Sequence, residues 1–289
     1  MTGGIVAVVL NYERPDDTVR CLRSLRSLEG LDGVIVVDNA SRDDSVVRLR
    51  REFEDVELIA ADENRGYTGG NNLGIRRALA RGAGFVLVLN DDVEVVDATF
   101  ARVLADRLSS DPRAGIAGPL VRYPDGSSQD TIERFPSFPL ALRLALARRL
   151  GHHRGPPAAA REVDAVNGAC LLVKREVLHD VGGFDEGYFM YGEEADLAWR
   201  ARRRGWKTLF VPVPAVVHHH PRNEQRGRAA VLPKRNFVRF CLLHRGRASA
   251  GATGLLFLAG AAGRDLRRRQ PHELPALREE LRAVWGERR

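Results

Sequence analysis

Only three of the 289 residues are cysteine, Cys21, Cys170 and Cys241, and they lie far apart along the chain. Such spacing and an odd count exclude a disulfide framework and point to reduced thiols, as in a cytoplasmic protein. No stretch reaches the ~20 consecutive apolar residues that span a bilayer. The nearest, Gly251–Gly263, is short, rich in glycine and flanked by Arg247 and Arg264. It suits a membrane surface rather than a crossing. The opening residues hold no basic region followed by a long apolar run, so no secretory signal is expected. Zinc-finger spacing and the aromatic–glycine signature of RNA-binding domains are both missing, and nucleic acid is not an expected partner. The chain also lacks an internal repeat.

What is present builds a folded α/β protein. Hydrophobic residues make up 44% of the chain, enough for a sizeable core. The length fits one large domain with an appendage: residues 1–225, then a basic helical extension over 226–289. The formal charge is +7, with much of the excess Arg in the last third, which favours anionic lipid or phosphorylated substrates. Apolar runs at Ile5–Leu10, Val34–Val37, Val56–Ile59 and Phe85–Leu89 read as strands, the last as a buried parallel one. Helical periodicity over 16–28, 45–53, 73–81 and 98–108 alternates with them. The alternation predicts a mostly parallel, doubly wound central sheet flanked by helices. Right-handed crossovers then bring the ends of the first, second and fourth strands to one rim. Tyr12, Asp38, Gly66 and Asp92 share a crevice there, where open α/β sheets bind ligands. Beyond residue 108 the pattern loosens. A helical stretch follows Pro136 and Pro139, an exposed loop over 151–160 holds His152 and His153, and 193–204 and 206–211 read as helix and strand.

Several clusters can carry chemistry. Asp91 and Asp92 follow Asn90 at the end of the fourth strand. Adjacent carboxylates repel unless a cation lies between them, and oxygen ligands of this kind suit Mg²⁺ or Mn²⁺ shared with substrate phosphates. An acidic turn capping the next helix is the plain alternative. Asp38, ending the second strand, is placed to accept hydrogen bonds from a ribose or base, although Asp-Asn-Ala-Ser is also good capping chemistry. The loop Asn64–Asn72 is rich in glycine, lets backbone amides approach phosphates, and offers Arg65 as a charged contact. It matches neither the dinucleotide fingerprint nor the P-loop. Glu193, Glu194 and Asp196 open a helix, where the macrodipole favours acids and Arg200 can pair with Asp196. The aromatic-rich 184–191 just before them suggests a substrate platform, and a buried Glu there can act as a general base. Of His218, His219 and His220, at most one or two can face a metal from a strand.

Taken in order, Val8-Val9-Leu10-Asn11-Tyr12, Val36-Val37-Asp38-Asn39-Ala40-Ser41, Asn64–Asn72, Leu89-Asn90-Asp91-Asp92-Val93, Asn167-Gly168-Ala169 and Gly183-Phe184-Asp185-Glu186 through Asp196-Leu197-Ala198-Trp199-Arg200 resemble the family 2 glycosyltransferases of the GT-A fold. The resemblance is to their rhamnosyltransferase-like branch and covers about residues 4–220. It implies nucleotide contacts from Tyr12, Asp38, Arg65, Gly66, Gly70 and Asp91, and metal ligation by Asp92 and His218 with Mn²⁺ or Mg²⁺ as cofactor. It places the catalytic base at Glu194, where the family usually carries Asp, with Asp196 as the alternative. Asn90 stands where the family motif more often begins with Asp. The implied reaction is a single inverting displacement moving a sugar from a nucleotide-diphosphate donor, with dTDP-rhamnose suggested by the branch, to a hydroxyl of a glycan or lipid-linked acceptor.

Two other readings compete. A catalytically inactive sugar-nucleotide-binding scaffold is motivated by Asn90 and Glu194, and transfer abolished by Asp92→Ala would remove it. A metal-dependent nucleotidyltransferase would have to bind and turn over a nucleoside triphosphate. The basic tail with Arg264, Arg267, Arg268 and Arg269 suggests contact with anionic headgroups, hence a cytoplasmic enzyme peripheral to the inner face of the cell membrane. An oligomer-forming helix is the plain alternative.

Overall fold

The computed structural model describes residues 3–147, 156–219, 230–268 and 273–286. His152, His153, His220 and Arg269, singled out above, lie outside them, as does the start of the expected extension at 226. Two compact units emerge. One comprises Met1–Arg134, Gly155–Phe189 and Glu193–His220, and the other Phe135–Arg154, Met190–Gly192 and Pro221–Arg289. Residues 135–154, expected within the first domain, thus group with the C-terminal segment.

The first unit begins with alternating strands and helices: β1 (Ile5–Asn11), α1 (Pro15–Leu25), β2 (Leu31–Asp38), α2 (Ser45–Glu52), β3 (Glu57–Ala60), α3 (Gly66–Ala80) and β4 (Phe85–Asn90). Strands β3, β2, β1 and β4 lie side by side in that order and all parallel. The apolar runs of β1 and β4 are buried on both faces, which is why they read as unbroken rather than alternating. Helix α1 seats Val19, Cys21, Leu22 and Leu25 against this core, at the spacing of one helical face.

The rest of the sheet is less regular. After β5 (Val93–Val95) and α4 (Phe100–Ser110) come β6 (Ala114–Arg122) and the short β7 (Ile132–Glu133). Helix α5 (Phe138–Ala147) belongs to the second unit, after which β8 (Arg161–Val163), β9 (Ala165–Val166), β10 (Cys170–Lys174), α6 (Arg175–Val181), α7 (Glu193–Arg203) and β11 (Lys207–His218) return to the first. The sheet continues β4-β10-β6-β11-β5, with β10 antiparallel to both β4 and β6. So β4 is parallel to β1 on one side only, a mixed sheet rather than a wholly parallel one. Strand β6 carries eight buried residues in a row and went unread in the sequence because Gly115, Gly118 and Pro119 dilute its apolar signal. The strand expected over 206–211 runs on to His218, so it reaches the same rim as Asp92.

Where the sequence suggested a glycine-rich loop followed by a helix from Leu73, α3 begins at Gly66. The glycines serve packing. A Cβ at Gly70 would lie 2.4 Å from Leu10 Cδ1, and one at Gly74 would lie 2.3 Å from Val8 Cγ1. They let the helix lie directly on β1, as small residues do at close helix–sheet contacts.

The second unit adds α8 (Leu232–His244), α9 (Arg247–Arg268) and α10 (Glu273–Gly286). Val231, Val238, Cys241, Ala250, Ala261, Leu277, Leu281 and Val284 form its core. Glu273 ties the three helices: it accepts two bonds from Arg264, at 2.6 and 2.7 Å, and pairs with Lys234. All three cysteines are free and buried. Among the described residues no helix is long and apolar enough to cross a membrane.

Candidate active site

The C-terminal ends of β1, β2 and β4 line one rim of the sheet. At its centre Asn11 donates from Nδ2 to Asp38 Oδ2 at 2.6 Å, while Ser41 N donates to Asp38 Oδ1 at 2.9 Å. Thr18 Oγ1 in turn donates to Asn11 Oδ1 at 2.7 Å. Asp38 is buried and held rigid by this network. Tyr12 follows β1, partly exposed. Beside it Asn39 accepts from Arg65 N at 3.0 Å and donates to the Gly66 carbonyl at 3.1 Å, fixing the start of α3. Gly66 has φ +68°, and a Cβ there would meet the Phe189 ring and carbonyl at 2.5 Å. Only glycine suits that position. Arg65 is half-exposed and lies 3.5 Å from Glu63.

A second group of acceptors converges at the ends of β4 and β11. Asp92 is buried; its Oδ2 receives Arg14 Nη1 at 3.1 Å and its Oδ1 faces His218 Nε2 at 3.0 Å. Gln129 fixes the imidazole. Its amide nitrogen donates to the His218 and Arg122 carbonyls, at 3.2 and 3.5 Å, so its Oε1 is the end that meets His218 Nδ1 at 2.9 Å. The ring is thus held between the Gln129 amide oxygen at Nδ1 and the Asp92 carboxylate at Nε2. Asn90 Oδ1 is also buried, without a hydrogen-bond partner. Burial and the adjacent Asp92 push Asp91 up to about 7, against the pull of Arg14. Asn90 Nδ2 lies 3.4 Å from the same His218 Nε2. Imidazole and carboxylate are ligand types that suit Mg²⁺ or Mn²⁺, and the Gln129 bond is the outer partner a ligating histidine has, but among the described residues no group of three His, Cys, Asp or Glu side chains is gathered to hold a metal. His219 points elsewhere, to Glu94 at 3.1 Å.

The third group surrounds the start of α7. Glu133, on β7, and Glu193 each hydrogen-bond to the Glu194 carboxyl. Protein crowding and the Glu194 charge hold both Glu133 and Glu193 well above the ordinary carboxyl range. Three carboxyls this close cannot all ionise together at ordinary cost, so the cluster titrates as a coupled set with its proton affinity raised. Tyr67 donates to the Gly168 carbonyl at 2.9 Å. Burial and the charges of Glu193, Glu194 and Asp92 raise its phenol, which marks Tyr67 as lying within the field of both acidic groups. Asp196 has a different environment. It is buried, with Arg200 Nε at 2.6 Å and the Tyr188 hydroxyl at 3.5 Å. Arg200 also donates to the Val181 and Gly183 carbonyls, so this pair anchors the segment before α7. Of the aromatic stretch 184–191, Phe184 and Tyr188 are buried and Phe189 is exposed.

Sequence reasoning missed Arg14, Gln129 and Glu133. Arg14 stands just beyond β1 and was findable from its place on the rim. Gln129 and Glu133 follow a turn at Gly126 and carry no local motif.

Comparison with known proteins agrees with this geometry. The family described as glycosyl transferase family 2 matches residues 6–182. The N-acetylglucosaminyl-diphospho-decaprenol L-rhamnosyltransferase of Mycobacterium tuberculosis is 33% identical over 253 residues, covering 80% of this chain and 81% of that protein. Structural likeness is found to GalNAc-T7 with UDP, GalNAc and Mn²⁺, with a TM-score of 0.62 and 18% identity over 82% of this chain and 47% of that one. A mannosyltransferase from Pyrobaculum calidifontis in complex with GDP-Man and Mn²⁺ gives a TM-score of 0.58 and 18% identity over 99% of this chain and 76% of that one. With its GT-A fold and this match, the chain belongs to glycosyl transferase family 2 and is a glycosyltransferase that uses a nucleotide-sugar donor.

Proposed function

We propose that the protein is an inverting glycosyltransferase in which Glu194 is the base and the rim of β1, β2 and β4 holds the donor. The observation that carries this reading is the carboxyl cluster at the start of α7, where Glu133 and Glu193 both hydrogen-bond to Glu194 and both are held above the ordinary carboxyl range. Glu194 takes the proton of an acceptor hydroxyl, and the oxygen attacks the anomeric carbon as the bond to the diphosphate oxygen breaks. The nucleotide diphosphate leaves and the anomeric configuration inverts. Asp196 is committed to Arg200, which favours Glu194 over it.

Tyr12, Asp38, Arg65, Gly66, Gly70 and Asp91 would bind the nucleotide. Asp38 and Gly70 act through the rigid pocket wall that their packing creates. Asp92 and His218 would hold Mn²⁺ or Mg²⁺. When bound, such a cation supplies positive charge against the diphosphate leaving group. Gln129 would fix the His218 ring, and Arg14 would orient the Asp92 carboxylate by the bond to Oδ2.

In this reading residues 1–225 catalyse and 226–289 extend the enzyme. The donor is a nucleotide-diphosphate sugar of the dTDP-rhamnose kind. The acceptor is a hydroxyl of a glycan carried on a lipid or cell-envelope polymer, and the enzyme works in the cytoplasm at a membrane face. The name of the Mycobacterium tuberculosis relative supports both choices. The test is thermal-shift binding with dTDP, UDP and GDP and their sugars, with and without Mn²⁺. A metal-dependent shift with one nucleotide, lost in Asp92→Ala, is expected. A shift with none of them, or one indifferent to Asp92, contradicts the assignment.

A further inference from the structure

Charge is divided unequally between the two compact units. The second unit, Phe135–Arg154, Met190–Gly192 and Pro221–Arg289, contains twenty Arg and Lys against six Asp and Glu, a net +14. With +7 on the whole chain, the first unit is left at −7. The cationic unit also exposes apolar side chains that a water-facing surface normally hides. On α5, Leu142, Leu144 and Leu146 are all exposed, while Ala141 is buried. Leu142 and Leu146, one turn apart, share a face.

Helix α9 shows the same pattern at greater length. Its inner side carries Ala250, Phe257, Leu258 and Ala261 into the core of the unit. The opposite side runs Ala248, Ala252, Leu255, Ala259, Ala262 and Leu266. Leu255 and Leu266 are 70% and 80% exposed. Eleven residues at 3.6 per turn bring them back to one line, so this stripe extends for about 27 Å without a charge. The outer face of a helix in water carries polar residues; an uncharged outer face on a strongly cationic body needs a cover that is apolar within and anionic at its surface.

We propose that α5 and the outer stripe of α9 form a docking face for an anionic phospholipid bilayer. Leucines enter the headgroup–acyl boundary while the surrounding arginines meet the lipid phosphates. Neither helix crosses, in keeping with the lack of a spanning helix among the described residues. The idea rests on the lipid-linked acceptor reading for its purpose, but the test needs neither donor, metal nor turnover. Its failure therefore leaves the transfer chemistry standing.

The full-length chain is sedimented with vesicles of neutral phosphatidylcholine, and with vesicles in which three-tenths is phosphatidylglycerol. Variants Leu142→Gln/Leu146→Gln and Leu255→Gln/Leu266→Gln replace exposed side chains, and thermal unfolding checks that they fold. The expected result is binding to the anionic vesicles alone, weakened at least tenfold by either pair. A polarity-sensitive dye on Leu255→Cys, the native cysteines being buried, should shift to the blue on those vesicles. No binding to anionic vesicles overturns the proposal. So does binding that both leucine pairs leave unchanged, or a dimer in sedimentation velocity that the leucine variants dissociate while vesicles do not bind.

Discussion

Glu193→Gln isolates the electrostatics at the start of α7. The side chain is 4% exposed, and its Oε2 has no hydrogen-bond partner. Burial, then the charges of Glu194 and Glu133, hold its pKa well above the ordinary value of 4.5. A carboxyl whose folded pKa exceeds its unfolded one keeps its proton after the unfolded chain has lost it. The native state then binds more protons, and stability falls as pH rises from about 4.5 towards the folded pKa. The slope is at most about 1.4 kcal/mol per pH unit for one group, so about 2.7 kcal/mol between pH 5.5 and 7.5. Glutamine keeps the size and removes the ionisation. Relative to the wild type, E193Q is expected to gain about 1–3 kcal/mol between pH 5.5 and pH 7.5. At roughly 2–4 °C per kcal/mol the difference is readable in thermal melts at the two pH values and in guanidinium midpoints. A variant equally less stable at both pH values would show that Glu193 is charged and paired in the native protein, and would refute its raised proton affinity.

Further consequences follow from single contacts. Gly74→Ala places a Cβ 2.3 Å from Val8 Cγ1 and should cost about 1–3 kcal/mol of stability; an unmoved denaturation midpoint would contradict the close packing of α3 on β1. Gln129→Leu frees the His218 ring and should weaken Mn²⁺ binding by about 10–100-fold in calorimetry or electron paramagnetic resonance, with Gln129→Glu retaining more; equal affinity would show that the imidazole needs no support. Arg264 and Lys234 hold Glu273 down to about 2. A depressed carboxyl stabilises above its unfolded pKa and loses that contribution as pH falls from about 4.5 to 2. Glu273→Gln should thus cost about 1–3 kcal/mol at pH 7 and flatten the acid limb of the stability curve.

The half of the fold built from β1 to β4 was legible because each strand is a short apolar run and each helix keeps its stripe. The antiparallel half was not. Strand β10 inserts between β4 and β6 through pairing more than fifty residues distant in sequence from β6 (Leu172 with Ala117), and no local pattern announces such a partner. The glycines of 64–72 looked like a phosphate cradle, yet Gly70, like Gly74 just beyond, answers to a β1 side chain (Leu10 and Val8 respectively) across a helix–sheet contact. At the site, Asp92 and His218 stood out by residue type and by their strand ends. Gln129 and Glu133 did not, because their importance lies in what they touch. Asp196 was the fallback to Glu194 in sequence, and the Arg200 pairing expected there is what occupies it.

The most direct test of the central claim follows nucleotide release and product configuration by NMR, with Mn²⁺, a sugar-nucleotide panel and a prenyl-diphosphate-linked sugar as acceptor. The account predicts that the wild-type protein releases the nucleotide diphosphate from one donor and forms a product of inverted anomeric configuration. Glu194→Gln should bind that donor with unchanged affinity and fail to turn it over. A retained configuration, or turnover undiminished in Glu194→Gln, would contradict it.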